Sequence, residues 1–290
     1  VLRVFTIIVL AVVVFGSGAF WTYELFLRPS QDLQVEKEMG DAAIPPDPSL
    51  PAFEQCAALK KQLKILEARA ALESFLERYP ASTKLDEARS QLGDLNAAIF
   101  LNPVAAPEKE EYTVRPGDVL TKVAARLKTT PEYLVRANRL NSTVLRIGQK
   151  LTVATGSFSM VIDRPKGRVV VLRNGKFFKE YGILVPVKGA AQPSGKKGGQ
   201  MPQRKVGKVV EKSAWTTMGQ RVTLADKDYI GAVHWIAVDG GGGTLYGVVE
   251  AQEGIPATKP GHGLGLAVGD TEELSALLRK GDPVTIIPLY

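Results

Sequence analysis

The chain has 290 residues and a formal net charge of +7, with 45% apolar and 23% charged residues. This composition supports packed cores and excludes wholesale disorder, and the length suits two or three domains better than one. One cysteine, Cys56, and two histidines, His234 and His262, exclude a disulfide framework, a cysteine zinc cage and a three-histidine metal site, so no cofactor is expected.

The charge is uneven: residues 1–110 carry a net −4, residues 111–154 a net +5 and residues 155–290 a net +6. A basic C-terminal part suits an anionic polymer such as a cell-wall glycan, nucleic acid or lipid headgroups, and equally suits a solvated face with no partner.

Residues 1–27 read as an anchor or signal. The run from Val4 to Tyr23 has no charge, and its 20 residues match the roughly 20 needed to cross a bilayer as a helix. Arg3 precedes it, Trp21 and Tyr23 stand at its far end and Glu24 follows. That order predicts an inner-membrane span with the remainder outside the cytoplasm. The alternative is a cleaved signal, cut near Gly16, Ser17, Gly18 and Ala19.

Residues 28–51 are polar and proline-rich, a linker. Residues 52–100 read as a helical hairpin. Leu59, Leu63, Leu66 and Ala70 form one apolar stripe, and Leu72, Phe75, Leu76 and Tyr79 another, as far as Pro80. Thr83 and Asp86 have capping-box spacing for the second helix. The pair is similar to a single tetratricopeptide-like unit, a spacer or a docking element. Residues 101–110 form a second linker.

Residues 111–154 predict strand, helix, helix, strand. Tyr112–Val114 is a short strand, Pro116-Gly117-Asp118 a turn, and Asp118 a cap for the next helix. Thr130 caps a second helix with Pro131 in its first turn, and Lys150–Val153 closes the unit as a strand. The pieces YTV-x-PGD-x-L, TTPEYLVRAN and L-x-x-GQKLTV stand in the order of a LysM domain, which this segment closely resembles. The resemblance implies binding to the N-acetylglucosamine-containing glycan of peptidoglycan. It places Gly117, Asp118, Val119 and Leu120 on one side of a groove and Asn141, Leu145, Arg146 and Ile147 on the other. One such module implies weak binding.

Residues 157–290 read as mainly β. Asn174-Gly175 between two alternating runs predicts a hairpin. Further strands are expected at Val206–Glu211, Ala232–Val238, Tyr246–Val249 and Pro283–Pro288, with a helix at Thr271–Arg279. Gly240–Gly243 reads as a hairpin connection, not a phosphate cradle, since no helix bearing Lys-Ser/Thr follows. The pieces KVGKV, HWIAV, LYGVV, GHGLGL and EELSALLRKGDPVTIIP resemble an L,D-transpeptidase (YkuD-like) catalytic domain.

That family's reaction is acyl transfer on peptidoglycan stem peptides through a cysteine thioester. Of its catalytic motif, His262 and Gly263 remain. Gly261 stands where the resemblance implies Ser, Leu264 where it implies the nucleophilic Cys, and Leu266 where it implies Arg. A thioester needs a thiolate, and Leu264 supplies none. The expected chain is therefore multidomain: a transmembrane helix, an α-helical hairpin, a βααβ LysM module and a mainly β L,D-transpeptidase-like domain. Its expected partners are peptidoglycan, with stem peptides or an active paralogue, and no nucleic acid. A divergent but active L,D-transpeptidase is the alternative.

Overall fold

The computed structural model describes residues 47–186, 203–229, 232–249 and 263–288. The run 4–23 and His262 lie outside the described residues. Among the described residues, no helix is long and apolar enough to cross a membrane. Pro51–Tyr290 forms one compact unit.

Three helices open the described chain: α1 (Ser49–Lys61), α2 (Ile65–Arg78) and α3 (Leu85–Leu101). The single helix expected before Pro80 is thus broken at Leu63, whose φ is 58°. There the amide of Lys64 donates to the carbonyl of Leu59 and that of Leu63 to Lys60. This pairing is a Schellman end, which usually carries glycine at the residue that here is Leu63. Leu63 consequently leaves the expected apolar stripe and is 82% exposed. The stripe that is buried on α2 is Ala68, Leu72 and Phe75, and it meets Ala88, Leu92 and Leu95 of α3. The N-cap of α3 is Lys84, not Thr83.

The next unit pairs β1 (Lys109–Thr113) antiparallel with β2 (Lys150–Ala154), and α4 (Leu120–Arg126) and α5 (Pro131–Ala137) lie between them in sequence. Thr130 caps α5 as expected, its hydroxyl accepting the Tyr133 amide at 2.9 Å. Leu120, Val123, Ala124, Tyr133, Leu134, Ala137, Leu151 and Val153 form the buried side of the unit.

The remaining strands are β3 (Phe158–Asp163), β4 (Arg168–Arg173), β5 (Lys176–Gly182), β6 (Lys205–Trp215), β7 (Arg221–Val222), β8 (Val233–Val238), β9 (Gly243–Gly247), β10 (Gly263–Leu266) and β11 (Pro283–Ile287). Their order in one sheet is β10-β9-β8-β6-β11-β3-β4-β5, with β7 paired to β6. β10 runs parallel to β9 and β11 parallel to β3, and the other pairs are antiparallel. The Asn174-Gly175 turn joins β4 to β5 with φ of 51° and 78°, the left-handed pair that a two-residue hairpin requires. Helix α6 (Val268–Leu277) packs on the sheet before β11.

The outer strand β5 is covered by α3, which shields an edge open to mispairing. The close approach depends on Gly93, where a Cβ would stand 3.0 Å from Lys179 Cγ and 3.2 Å from its Cα. Asn96 Nδ2 donates to the Phe178 carbonyl at 2.9 Å across the same contact.

The cores of the βααβ unit and of the large sheet are continuous. Tyr133, Leu134 and Leu151 belong to one apolar cluster with Phe100, Phe158, Ile162, Ile236, Leu266 and Leu277. Polar ties reinforce the junction: Thr130 Oγ1 donates to the Ala276 carbonyl, and Lys212 of β6 pairs with Glu132 of α5 at 3.1 Å.

Candidate functional site

Two loops of the βααβ unit face each other across a groove of about 480 Å³. One side is Asp118, Val119, Leu120 and Thr121; the other is Thr143, Val144 and Leu145. The lining is largely apolar, and Val119 and Val144 remain 48% and 78% exposed. Apolar side chains gathered on two facing loops are a feature of ligand-binding grooves.

A local hydrogen-bond network builds the first loop. Asp118 is not the cap of α4, which begins after Val119 without a side-chain cap. Its carboxylate instead accepts the Tyr112 hydroxyl at 2.5 Å, the Arg115 amide at 2.9 Å and Arg126 Nη2 at 3.1 Å. Arg126 Nη1 also donates to the Tyr112 hydroxyl at 2.7 Å. The Tyr112 bond first, then the Arg115 amide and Arg126, hold the Asp118 carboxyl below the usual carboxylate range. The turn is thus locked from strand, loop and helix together, with Gly117 at φ 80° giving the reversal.

Of the residues expected at this site, Asp118, Val119, Leu120 and Leu145 line the groove. Leu120 is also part of the core, at 3% exposure. Gly117 stands one residue outside the lining, and Asn141, Arg146 and Ile147 flank the second loop without lining it. Ile147 is 72% exposed. Thr121, Thr143 and Val144 line the groove and were not expected. A Thr-Val pair with no core periodicity was the available signal. The groove has further lining from Thr223, Leu224 and Ala225, which no local pattern announces.

A second cavity of about 210 Å³, with a mixed polar and apolar lining, shares Thr223 and Leu224 with the groove and is lined also by Glu132, Lys212, Tyr229, His234 and Ser275. His234 is a packed strand residue with the Tyr229 ring edge-on at 5.1 Å. Burial first, and Lys212 with it, pushes its imidazole down to about 4 against the opposing pull of Glu132.

Strand β10, which carries Leu264, is packed on both faces. Leu264 and Leu266 on β10 are 2% and 0% exposed and belong to the central apolar cluster. On the opposite face a Cβ at Gly265 would stand 2.5 Å from Val248 Cγ2 and 2.8 Å from Val185 Cβ. Gly263 opens β10, half-buried. Cys56 is buried on α1 against the helical cluster, and burial pushes its thiol up, away from reactivity. Gly240–Gly242 lie in the β8–β9 connection and Gly243 opens β9, and Arg164 Nη2 donates to the carbonyls of Gly241 and Gly242 at 2.7 and 3.2 Å. No group of metal-ligating side chains occurs among the described residues.

The LysM domain family matches residues 112–154. No curated protein matches the chain. Among solved structures, the chain is similar to L,D-transpeptidase 1 of Mycobacterium tuberculosis at 11% identity, over 48% of this chain and 66% of that one, with a TM-score of 0.27. It is similar to an L,D-transpeptidase from Mycobacterium smegmatis at 16% identity, over 49% and 64% of the two chains, with a TM-score of 0.28. A fused Zn-dependent amidase/peptidase/peptidoglycan-binding domain-containing protein from Clostridium acetobutylicum is similar at 14% identity, over 75% and 82%, with a TM-score of 0.28. The chain spans just under two thirds of the length of the two transpeptidases.

Proposed function

We propose that this protein is a cell-envelope protein that holds N-acetylglucosamine-containing peptidoglycan in the groove between residues 118–121 and 143–145, and that its transpeptidase-like region performs no acyl transfer. One observation carries the binding reading: two exposed loops of the segment that matches the LysM domain wall a largely apolar groove. Val119, Val144 and Leu145 suit the apolar faces of sugar rings, and backbone amides and carbonyls at the loop ends suit the acetamido groups. The net +5 of residues 111–154 suits an anionic envelope. The run 4–23 would tether the groove to the inner membrane, raising the effective concentration of a weak module near the wall.

The buried Leu264 and the packed faces of β10 support the inactive reading, since acyl transfer needs an accessible nucleophile. Stem peptides would then be held without being joined. The test uses the full chain in mild detergent. Mixed with insoluble peptidoglycan, the wild type should sediment and Val144→Asp should remain in the supernatant, and a soluble wild type would sink the binding reading. Incubated with a carbapenem, the same preparation should keep its intact mass. A gain equal to one opened carbapenem would replace this reading with an active transpeptidase.

A further inference from the structure

The groove has a third wall, supplied from far along the chain. Thr223, Leu224 and Ala225 line it together with the two loops of the LysM segment, and they belong to the turn that follows β7. The turn is built. Asp226 Oδ2 accepts the Thr223 amide at 2.6 Å and the Thr223 hydroxyl at 2.8 Å, while the Asp226 amide donates back to the Thr223 carbonyl at 2.9 Å. Upstream, Val222 and Arg221 are held in register against Ala214 and Trp215 of β6. Downstream, the Tyr229 amide donates to the Asp226 carbonyl at 3.2 Å. Leu224 is half-buried and packs against the cluster that holds the core of the LysM segment.

The position of this turn relative to the loops is fixed by contacts on the neighbouring helix. Glu132 of α5 pairs with Lys212, and the Tyr229 hydroxyl stands 3.5 Å from Glu132 Oε1. Arg136 of α5 approaches Glu272 and Glu273 of α6 at 3.7 and 3.6 Å. A turn secured at both ends, beside a helix secured to the same sheet, gives a rigid surface that loses little freedom when a ligand meets it.

We propose that the C-terminal region is part of the glycan site. Leu224 forms a third wall against the apolar face of a bound N-acetylglucosamine chain, and Asp226 is the positioning residue that holds the wall in place. The inference rests on the glycan-binding reading above and extends it. Two loops alone would cover a sugar from two sides, whereas the third wall removes additional apolar sugar surface from water. It also makes binding a property of both regions, so affinity depends on residues outside the segment that matches the LysM domain.

The test titrates tetra-N-acetylchitotetraose into the full chain in mild detergent, with thermal midpoints confirming that each variant is folded. Leu224→Asp should weaken binding tenfold or more, Leu224→Ala severalfold, and Leu224→Met less than twofold. Asp226→Ala should weaken binding severalfold and Asp226→Asn less, because its amide oxygen still accepts from Thr223. Hydrogen exchange gives a readout that a merely structural role would not move. On addition of the sugar, amides of residues 219–226 should slow together with those of 117–121 and 143–146. Protection confined to the two loops, with Leu224→Asp binding as the wild type does, would overturn the third wall and leave the glycan reading standing. Tighter binding by Leu224→Ala would also overturn it, showing the turn to be an obstruction. Loss of wild-type binding itself, or full binding by Val144→Asp, would be the failure of the glycan reading instead.

Discussion

His234 is 2% exposed on β8, and its imidazole is neutral at ordinary pH because a charged ring would lose its water there. The unfolded chain binds this proton near pH 6.5 and the folded chain only near 4. Between these values the unfolded state carries more protons, so stability is full above about 6.5 and falls as pH drops toward 4. The displacement from 6.5 to about 4 corresponds to roughly 3 kcal/mol. His234→Gln cannot take up that proton. Its melting temperature should therefore decline less than that of the wild type between pH 6.5 and 4, after the acid titration common to both is subtracted. Parallel pH profiles would show that the imidazole is not held neutral by the fold. Asp118 teaches a related lesson about reading residues from sequence. Its place before a helix suggested a cap, yet Tyr112 and Arg126, distant by only a few residues, claim its carboxylate. Position in a turn was legible; the choice among competing donors was decided by packing of strand against helix.

The helices show where chain-local signals fail and why. α1, α4 and α5 all end with a non-glycine residue in the left-handed region: Leu63 at φ 58°, Lys128 at 54° and Arg139 at 49°. Each end carries the same paired amides, with Thr129 donating to Ala124 and Lys128 to Ala125, and Leu140 donating to Val135 and Arg139 to Arg136. Glycine would have announced these stops, so without it the apolar periodicity ran on through Leu63 and merged two helices. Where punctuation was present the reading succeeded, as at Thr130-Pro131 and Asn174-Gly175. The strain at these ends can be tested directly. A side chain in the left-handed region costs about 1 kcal/mol against glycine. Leu63→Gly, at an 82% exposed position that loses little packing, should raise unfolding stability by about that amount. Lys128→Gly and Arg139→Gly should act in the same direction. Denaturant midpoints measure the gain, and a loss of stability at Leu63→Gly would mean that its side chain contributes more than its strained backbone costs.

At the scale of the molecule, the βααβ unit does not hang from the rest by a tether. Phe100 at the end of α3 joins three parts: its ring lies 4.7 Å from Tyr133 of the LysM segment, 5.3 Å from Phe158 on β3 and 5.7 Å from Phe178 on β5. Phe158 and Phe178 also meet edge to face at 5.4 Å. Periodicity placed apolar residues in each segment but could not tell that their buried faces meet, because such contacts are long-range and carry no local spacing. A small module that shares its core with a larger sheet should not open alone, since opening would strip Tyr133 and Leu151 from apolar neighbours on both sides. In hydrogen exchange on the full chain, the slowest amides near Tyr133 and near Ile286 should therefore exchange with the same opening free energy and the same denaturant dependence. Phe100→Leu should lower both by an equal amount, and Phe100→Ala by more, about 3–5 kcal/mol as for a buried aromatic truncated in a core. The test is the equality, not the size of the loss. If Phe100→Leu lowered only the Tyr133 amides and left Ile286 unchanged, the LysM segment would be an independently opening body, and the third wall at Leu224 would lose the fixed geometry on which it depends.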